Sequence, residues 1–291
     1  MVKYEITHTT QYSYSEPVPV CHNVVHLAPR TLAHQTCRKF SLLLTPAPPY
    51  QRRHVDFFGN RVDFFSIHVA HLGLSVTARS RVEVQPVELP YAADTVSWNR
   101  IVDEVRRDDS PEGLSVYQIA FPSRHIPCAH EFASYAMPSF ANDRPILEAA
   151  VELTDRIHRD FRYDSQATTI SSSPLDVLEG RAGVCQDFAH LQLACLRSLG
   201  IPARYVSGYV RTEPPVGQAR LIGADASHAW LAVWCGREGW FDLVPTNNLL
   251  PTVDHISVAW GRDYADVCPI QGVALGGVQH LMSVSVDVST T

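Results

Sequence analysis

Short alternations of apolar and polar residues fill the first part of the chain. Tyr12 to Ser15, Phe40 to Leu44, Phe64 to Val69 and Leu74 to Ala78 are separated by Pro46, Pro48, Pro49, Gly59-Asn60 and Gly73. Strands at this spacing predict a β-sandwich-like domain over residues 1–86, with Phe58-Gly59-Asn60-Arg61 as a hairpin tip. The period is then lost: prolines at 90, 111, 122, 127 and 138 break up residues 87–141, which read as a connector with short helices. After Asn142-Asp143-Arg144-Pro145, a capping residue and a proline near a first helical turn, Ile146, Ala149, Ala150, Leu153 and Ile157 mark one helical face. A second stripe, Phe188, Leu191, Cys195 and Leu199, starts just past Gly180-Arg181-Ala182-Gly183-Val184-Cys185 and stops at Gly200 and Pro202. Strand alternation returns in 203–210, 227–234, 240–243 and 282–288. Helices first and an antiparallel sheet afterwards predict an α+β unit over residues 142–291, its C-terminal strands included, with the second helix packed on the sheet.

Composition narrows the function classes. The 291 residues, 45% of them hydrophobic, suffice for two packed cores. No run reaches the ~18 apolar residues of a membrane span, and Met1-Val2-Lys3-Tyr4-Glu5-Ile6 has no signal-peptide core, so a cytoplasmic protein without a membrane partner is expected. A net charge of -6 and a pI near 6.1 give no basic field for nucleic acid. Seven cysteines without a Cys-x-x-Cys pair make neither a disulfide framework nor a zinc cage. Fourteen histidines leave a metal-dependent hydrolase as a minor alternative, but none has His-Glu-x-x-His spacing, and no cofactor or metal is expected. The histidines of the first domain, His8, His22, His26, His68 and His71, read as ordinary surface or core polar residues.

The candidate chemistry centres on Cys185. At a helix start its thiol meets unpaired amides and the positive end of the macrodipole, which favour the nucleophilic thiolate; a small buried hydrophobe is the plain alternative. What lies downstream decides between them. Ser227-His228-Ala229-Trp230-Leu231-Ala232-Val233-Trp234 and Trp240-Phe241-Asp242-Leu243 read as a hairpin around Gly236-Arg237-Glu238-Gly239, and it carries a histidine. A thiol at a helix start, a histidine on a strand and a polar group on the next strand is the order of a thiol–imidazole site. His190, five positions along the helix from Cys185, is a full turn deeper and suits packing. Cys128 and His130 stand at i and i+2 and do not face each other on a helix.

Gly183-Val184-Cys185-Gln186-Asp187-Phe188-Ala189-His190, Asp225-Ala226-Ser227-His228-Ala229-Trp230 and Gly239-Trp240 through Pro245-Thr246-Asn247-Asn248 resemble the bacterial transglutaminase-like thiol-enzyme family. The resemblance extends to Ala259-Trp260-Gly261-Arg262-Asp263-Tyr264-Ala265-Asp266-Val267 and, at the head, to Tyr4-Glu5-Ile6-Thr7-His8 and Ala28-Pro29-Arg30. It implies an all-β N-terminal domain and a papain-like core in which Cys185 attacks an amide carbonyl, with His228 as base. It also exposes a departure, because the family's orienting aspartate precedes Pro-Thr-Asn, where this chain has Val244. Asp242, two residues earlier on the same strand face, is the first candidate to replace it, on a diagonal of roughly 7–8 Å. Asn247 is the second. The amide of Cys185 is the default oxyanion donor, with Gln186 or Tyr163 as a second. These residues suit amide acyl transfer on a peptide or protein substrate, with hydrolysis favoured over transfer to an amine. A binding or scaffold protein that keeps the fold without turnover is the alternative.

Overall fold

The computed structural model describes residues 1–169, 172–211, 227–277 and 279–291. Six strands open the chain: β1 (Val2–Val18), β2 (Val20–Val25), β3 (Gln35–Thr45), β4 (Tyr50–Val55), β5 (Arg61–Ile67) and β6 (His71–Val84). They belong to two antiparallel sheets that bury Val18, Val25, Leu44, Phe65, Ile67 and Val76 between them, so the expected sandwich is present. The hairpin tip lies where its residues suggest, with Gly59 in the left-handed region and the amide of Asn60 bonded to Asp56 at 2.7 Å.

Residues 87–141 hold α1 (Trp98–Arg107), α2 (Pro111–Tyr117) and α3 (His130–Ala136). They do more than connect. Ile101, Val102, Val105 and Phe132 are buried in one core with the residues of the later helices. Next come α4 (Ile146–Asp160), β7 (Arg162–Tyr163), α5 (Pro174–Gly180), β8 (Ala182–Gly183) and α6 (Cys185–Ser198). Helix α6 is buried on every side from Asp187 to Arg197, more than the one stripe in its sequence promises, because it has helices on one side and a sheet on the other. That sheet has the order β11-β10-β9-β12, built from β9 (Ala203–Val210), β10 (Ser227–Trp234), β11 (Trp240–Leu243) and β12 (His255–Gly261). The α+β layout, with the Cys185 helix packed on an antiparallel sheet, is as expected.

The tail departs from expectation. After the short α7 (Tyr264–Val267), β13 (Ile270–Leu275) pairs with β2 and β14 (His280–Thr290) pairs with β1. The two sandwich sheets therefore run β14-β1-β6-β3 and β13-β2-β5-β4. The alternation at 282–288 did predict a strand, but the strand completes the N-terminal sandwich and does not extend the sheet of residues 203–261. Alternation specifies a face and says nothing of which distant edge will take the strand.

The sandwich is joined closely to the rest. Tyr4, Ile6, Val82, Val84, Val286 and Val288 on one sheet face share the large core with α6 and β9. The Arg30 guanidinium lies 3.5 Å from the centre of the Trp260 ring, and Gln35 exchanges hydrogen bonds with the backbone of Ser257 at 2.8 and 2.9 Å. No helix among the described residues is long and apolar enough to cross a membrane.

Candidate active site

The turn before α6 shows why its residues present a thiol. Helix α5 ends at Arg181, which takes the left-handed conformation at φ 52°. Gly183 follows in close approach to Asp187: a Cβ there would lie 2.8 Å from Asp187 Oδ2 and 2.9 Å from its Cβ. That carboxylate accepts from the amide of Val184 at 2.8 Å and from the Thr168 hydroxyl at 2.6 Å, which anchors the helix start. Cys185 is thereby the first residue of α6, half-buried, with its thiol facing the sheet.

His228 stands near the start of β10, opposite Gly208 on the central strand β9. Cys185 and His228 open onto one cavity of about 400 Å³. Burial pushes the Cys185 thiol up, against a downward pull from the amides of Ala229, Gln186 and Cys185 itself. Burial also holds His228 below its ordinary value, only partly offset by the Ala229 backbone. Desolvation acts on both groups in the direction of neutrality, against the thiolate that a helix-start position favours.

The third member is where structure and expectation part. The β10–β11 register pairs Asp242 with Ala232. Four residues separate Ala232 from His228, roughly 13 Å along a strand. Asp242 does share the face of His228, but Trp230 stands between them and donates its indole N–H to Asp242 Oδ2 at 2.9 Å. Burial raises the Asp242 carboxyl, with Arg204 and that indole opposing. Asn247 is exposed in the turn after β11, its amide bonded to the Val244 carbonyl at 3.3 Å, and it makes no hydrogen bond to His228. Neither candidate reaches the imidazole. Val244 is fully buried beside Trp230, Ala232 and Val206, and His228 Nδ1 is buried with no hydrogen-bond partner among the described residues.

Two histidines escaped the sequence reading. His255, the first residue of β12, packs edge-on to Trp230 at 5.6 Å and accepts from the Thr252 amide at 3.2 Å through Nδ1; its Nε2 is buried without a partner among the described residues. Burial lowers it to about 4, and nearby His228 pushes in the same direction. Gly208 makes room for this cluster, since a Cβ there would fall 2.2 Å from the Trp230 ring. His8, expected to be an ordinary polar residue, lines the cavity itself. Its ring nitrogens meet the Tyr209 hydroxyl at 3.0 Å and the Thr10 hydroxyl at 3.1 Å, and burial lowers it to about 4. Nothing in a linear pattern links either residue to position 185, because both arrive through pairing between distant strands.

His190 packs as its depth in α6 implies: its Nε2 accepts from the Tyr264 amide at 3.3 Å and its ring stacks on His125. Gln186 lines the cavity, and Tyr163 is exposed, its phenol raised by partial burial first and by Cys185 and Asp187 after it. Asp225 and Ala226, part of the histidine motif, lie outside the described residues.

Comparison with known proteins adds lineage to this geometry. Residues 4–83 match the bacterial transglutaminase-like N-terminal region, and residues 133–245 match the transglutaminase-like superfamily. An uncharacterized protein of Mycobacterium tuberculosis is 38% identical over 98% of this chain and 92% of its own length. A protein-glutamine gamma-glutamyltransferase of Pseudomonas aeruginosa is 26% identical over 57% of this chain and 25% of its own length. A Cytophaga hutchinsonii crystal structure, described by its solvers as a candidate cysteine protease, superposes with a TM-score of 0.76 at 22% identity, covering 99% of this chain and 90% of that one. It shares the fold from end to end.

Proposed function

Because the chain belongs to the transglutaminase-like superfamily, we propose that it is a thiol-dependent amide acyl-transfer enzyme with Cys185 as nucleophile and His228 as general base. The observation that carries this reading is the shared cavity: a thiol at the first turn of α6 and an imidazole on β10 open onto it, with the amides of Ala229, Gln186 and Cys185 pulling toward the anionic form of the sulfur. In the first half-reaction Cys185 Sγ bonds to the carbonyl carbon while its proton passes to His228. The tetrahedral intermediate then collapses, the C–N bond breaks, and the amine or ammonia leaves with that proton. The resulting thioester is opened by water, again through His228, giving a carboxylic acid and restoring the thiol. The amides around the sulfur are also the available donors for the oxyanion. We take water as the acceptor over an amine, since transfer to an amine would require the site to keep water from the thioester.

The experiment is acyl trapping. Incubating the protein with glutamine-containing peptides and a fluorescent primary amine should release ammonia or new peptide termini without incorporating the amine, and intact mass should show an acyl adduct on Cys185. Cys185→Ala should show neither product nor adduct. Turnover that survives in Cys185→Ala would overturn the assignment. A second reading, a binding scaffold on this fold, is favoured by one observation: position 244 has no acid and His228 Nδ1 has no partner. A folded parent protein that shows neither amide turnover nor an acyl adduct on Cys185 would select it.

A further inference from the structure

The cavity beside Cys185 is walled by the N-terminal sandwich. Three successive same-face pairs of the β1–β14 ladder line it: His8 with Val286, Thr10 with Val284, and Tyr12 with Met282. The wall runs from a polar pair, His8 and Thr10, through valines to an open end where Met282 and Val284 are 58% and 50% exposed. Both ends of the chain thus meet at the nucleophile. The described lining contains no Asp, Glu, Lys or Arg. Its one histidine on this wall is satisfied at both nitrogens by hydroxyls, so it offers a ligand neither a free charge nor a free donor.

We infer that this β1–β14 wall is the acyl-group subsite, and that it selects amide substrates whose acyl side bears a neutral apolar or aromatic group. The inference rests on the reading of Cys185 as the nucleophile, since the group lodged on the wall is the one attached to the carbonyl under attack. A cavity of about 400 Å³ holds a group of aromatic side-chain size beside the reacting amide. A charged group entering it would be desolvated with no counter-charge from the described lining, which disfavours acidic and basic acyl groups. An apolar group would cover the exposed faces of Met282 and Val284, which otherwise stand as bare hydrophobics on an edge strand. The sandwich is in this view a specificity element.

Alkylation of Cys185 tests this without any substrate or turnover. Second-order rates are measured on the Cys185 peptide by mass spectrometry for iodoacetamide, N-benzyl-iodoacetamide and iodoacetate, each divided by its rate with glutathione. The benzyl reagent should gain at least tenfold over iodoacetamide, within the roughly 10- to 200-fold that small apolar contacts give in a hydrophobic pocket, and iodoacetate should lose. Met282→Glu and Val284→Glu, at exposed positions that the fold tolerates, should each erase most of the benzyl preference, read as the ratio of the N-benzyl-iodoacetamide rate to the iodoacetamide rate within the same variant. A parent with no benzyl preference overturns the inference, and so does a preference that both variants retain. Failure of the enzyme reading has a different signature: no acyl adduct forms on Cys185 with any amide substrate, and this leaves the ratio between alkylating reagents readable.

Discussion

Val244→Asp should raise the reactivity of the candidate site. Continuing the β10–β11 register one step past Leu231 and Leu243 sets position 244 opposite Trp230, which makes it the diagonal neighbour of His228 on the same face. His228 Nδ1 is buried there without a partner. A carboxylate accepting from that nitrogen would fix the tautomer and stabilise the imidazolium formed during proton transfer. A hydrogen bond to a charged group contributes about 1.5–3 kcal/mol, which converts to roughly 10- to 100-fold in rate. Burial opposes part of the gain: Val244 is fully buried against Trp230, Ala232 and Val206, so the new carboxyl will titrate above the ordinary carboxylate range. Its benefit exists only where it is ionised, so the ratio of variant to parent should grow as pH rises from 5 through 8. Losing a packed valine lowers stability by about 1.5–3 kcal/mol, so circular dichroism and thermal unfolding must accompany the kinetics. The assay is the pH dependence of Cys185 alkylation by iodoacetamide, beside amide turnover once a substrate is in hand. A folded Val244→Asp protein whose ratio to the parent stays flat at unity across that range refutes the reasoning, because the imidazole would then be held by something other than an acceptor at this position.

Asp242→Asn should leave Cys185 reactivity within about twofold but lower stability by about 1–2 kcal/mol, because it weakens the Trp230 and Arg204 environment and leaves His228 untouched; a fall in rate of a hundredfold or more would return Asp242 to the site. The pH profile of turnover should lose its acid limb only below the ordinary imidazole range and stay level through neutrality, since His228 is held down and the Cys185 thiol up, so the neutral pair exists across that window. Iodoacetamide alkylation, which reads the thiolate, should still be rising at pH 9. Gly183→Ala should reduce both thermal stability and Cys185 reactivity, because its Cβ would press on Asp187 within 2.9 Å and shift the start of α6; unchanged unfolding and labelling would show that the turn has slack. Removing residues 279–291 exposes what Val286 and Val288 now cover and discards both side chains, each fully buried and worth about 1.5–3 kcal/mol, and should lower the unfolding temperature sharply.

The places of the proposed nucleophile and base, a helix start and a strand, were legible because each rests on local periodicity. A glycine-marked turn before an apolar stripe places Cys185 at a helix start, and strict alternation places His228 on a strand. The hairpin centre was also readable: the observed register sums to 474 for each pair, although it ends at Leu231 and Leu243 before reaching His228. Asp242 failed by one pleat step. Side-chain parity told its face correctly, but a shift of one residue in the hairpin centre moves the opposing position by two, enough to turn a diagonal neighbour into a residue two pairs away with an indole in between. His8, His255 and the β14 wall were out of reach for another reason. His255 enters by the pairing of β12 with β9, 45 residues away at Val210, and His8 and β14 come from a separate sheet; no period carries that information.

The shifts of the buried groups agree in direction, and that has a consequence for how charge must be handled. His8, His228 and His255 are all held toward the neutral imidazole, and Cys185 toward the thiol, with burial the leading cause in every case. A resting thiolate–imidazolium pair in such surroundings would need a carboxylate to hold the cation, and the family position for one is a buried valine. In the proposed reaction, a site that meets its substrate uncharged would couple proton transfer to attack on the carbonyl. Charge then develops on sulfur, on the carbonyl oxygen and on the imidazole together, and the groups present to meet the negative part are backbone amides at the start of α6 and at Ala229. The positive part is supported only by the Ala229 backbone among the described residues, while His228 Nδ1 has no partner there and the adjacent His255 opposes a second positive charge. The imidazolium is thus the least supported species along the path, and this is why one acid placed at position 244 should act on rate more strongly than any change to the nucleophile's own helix.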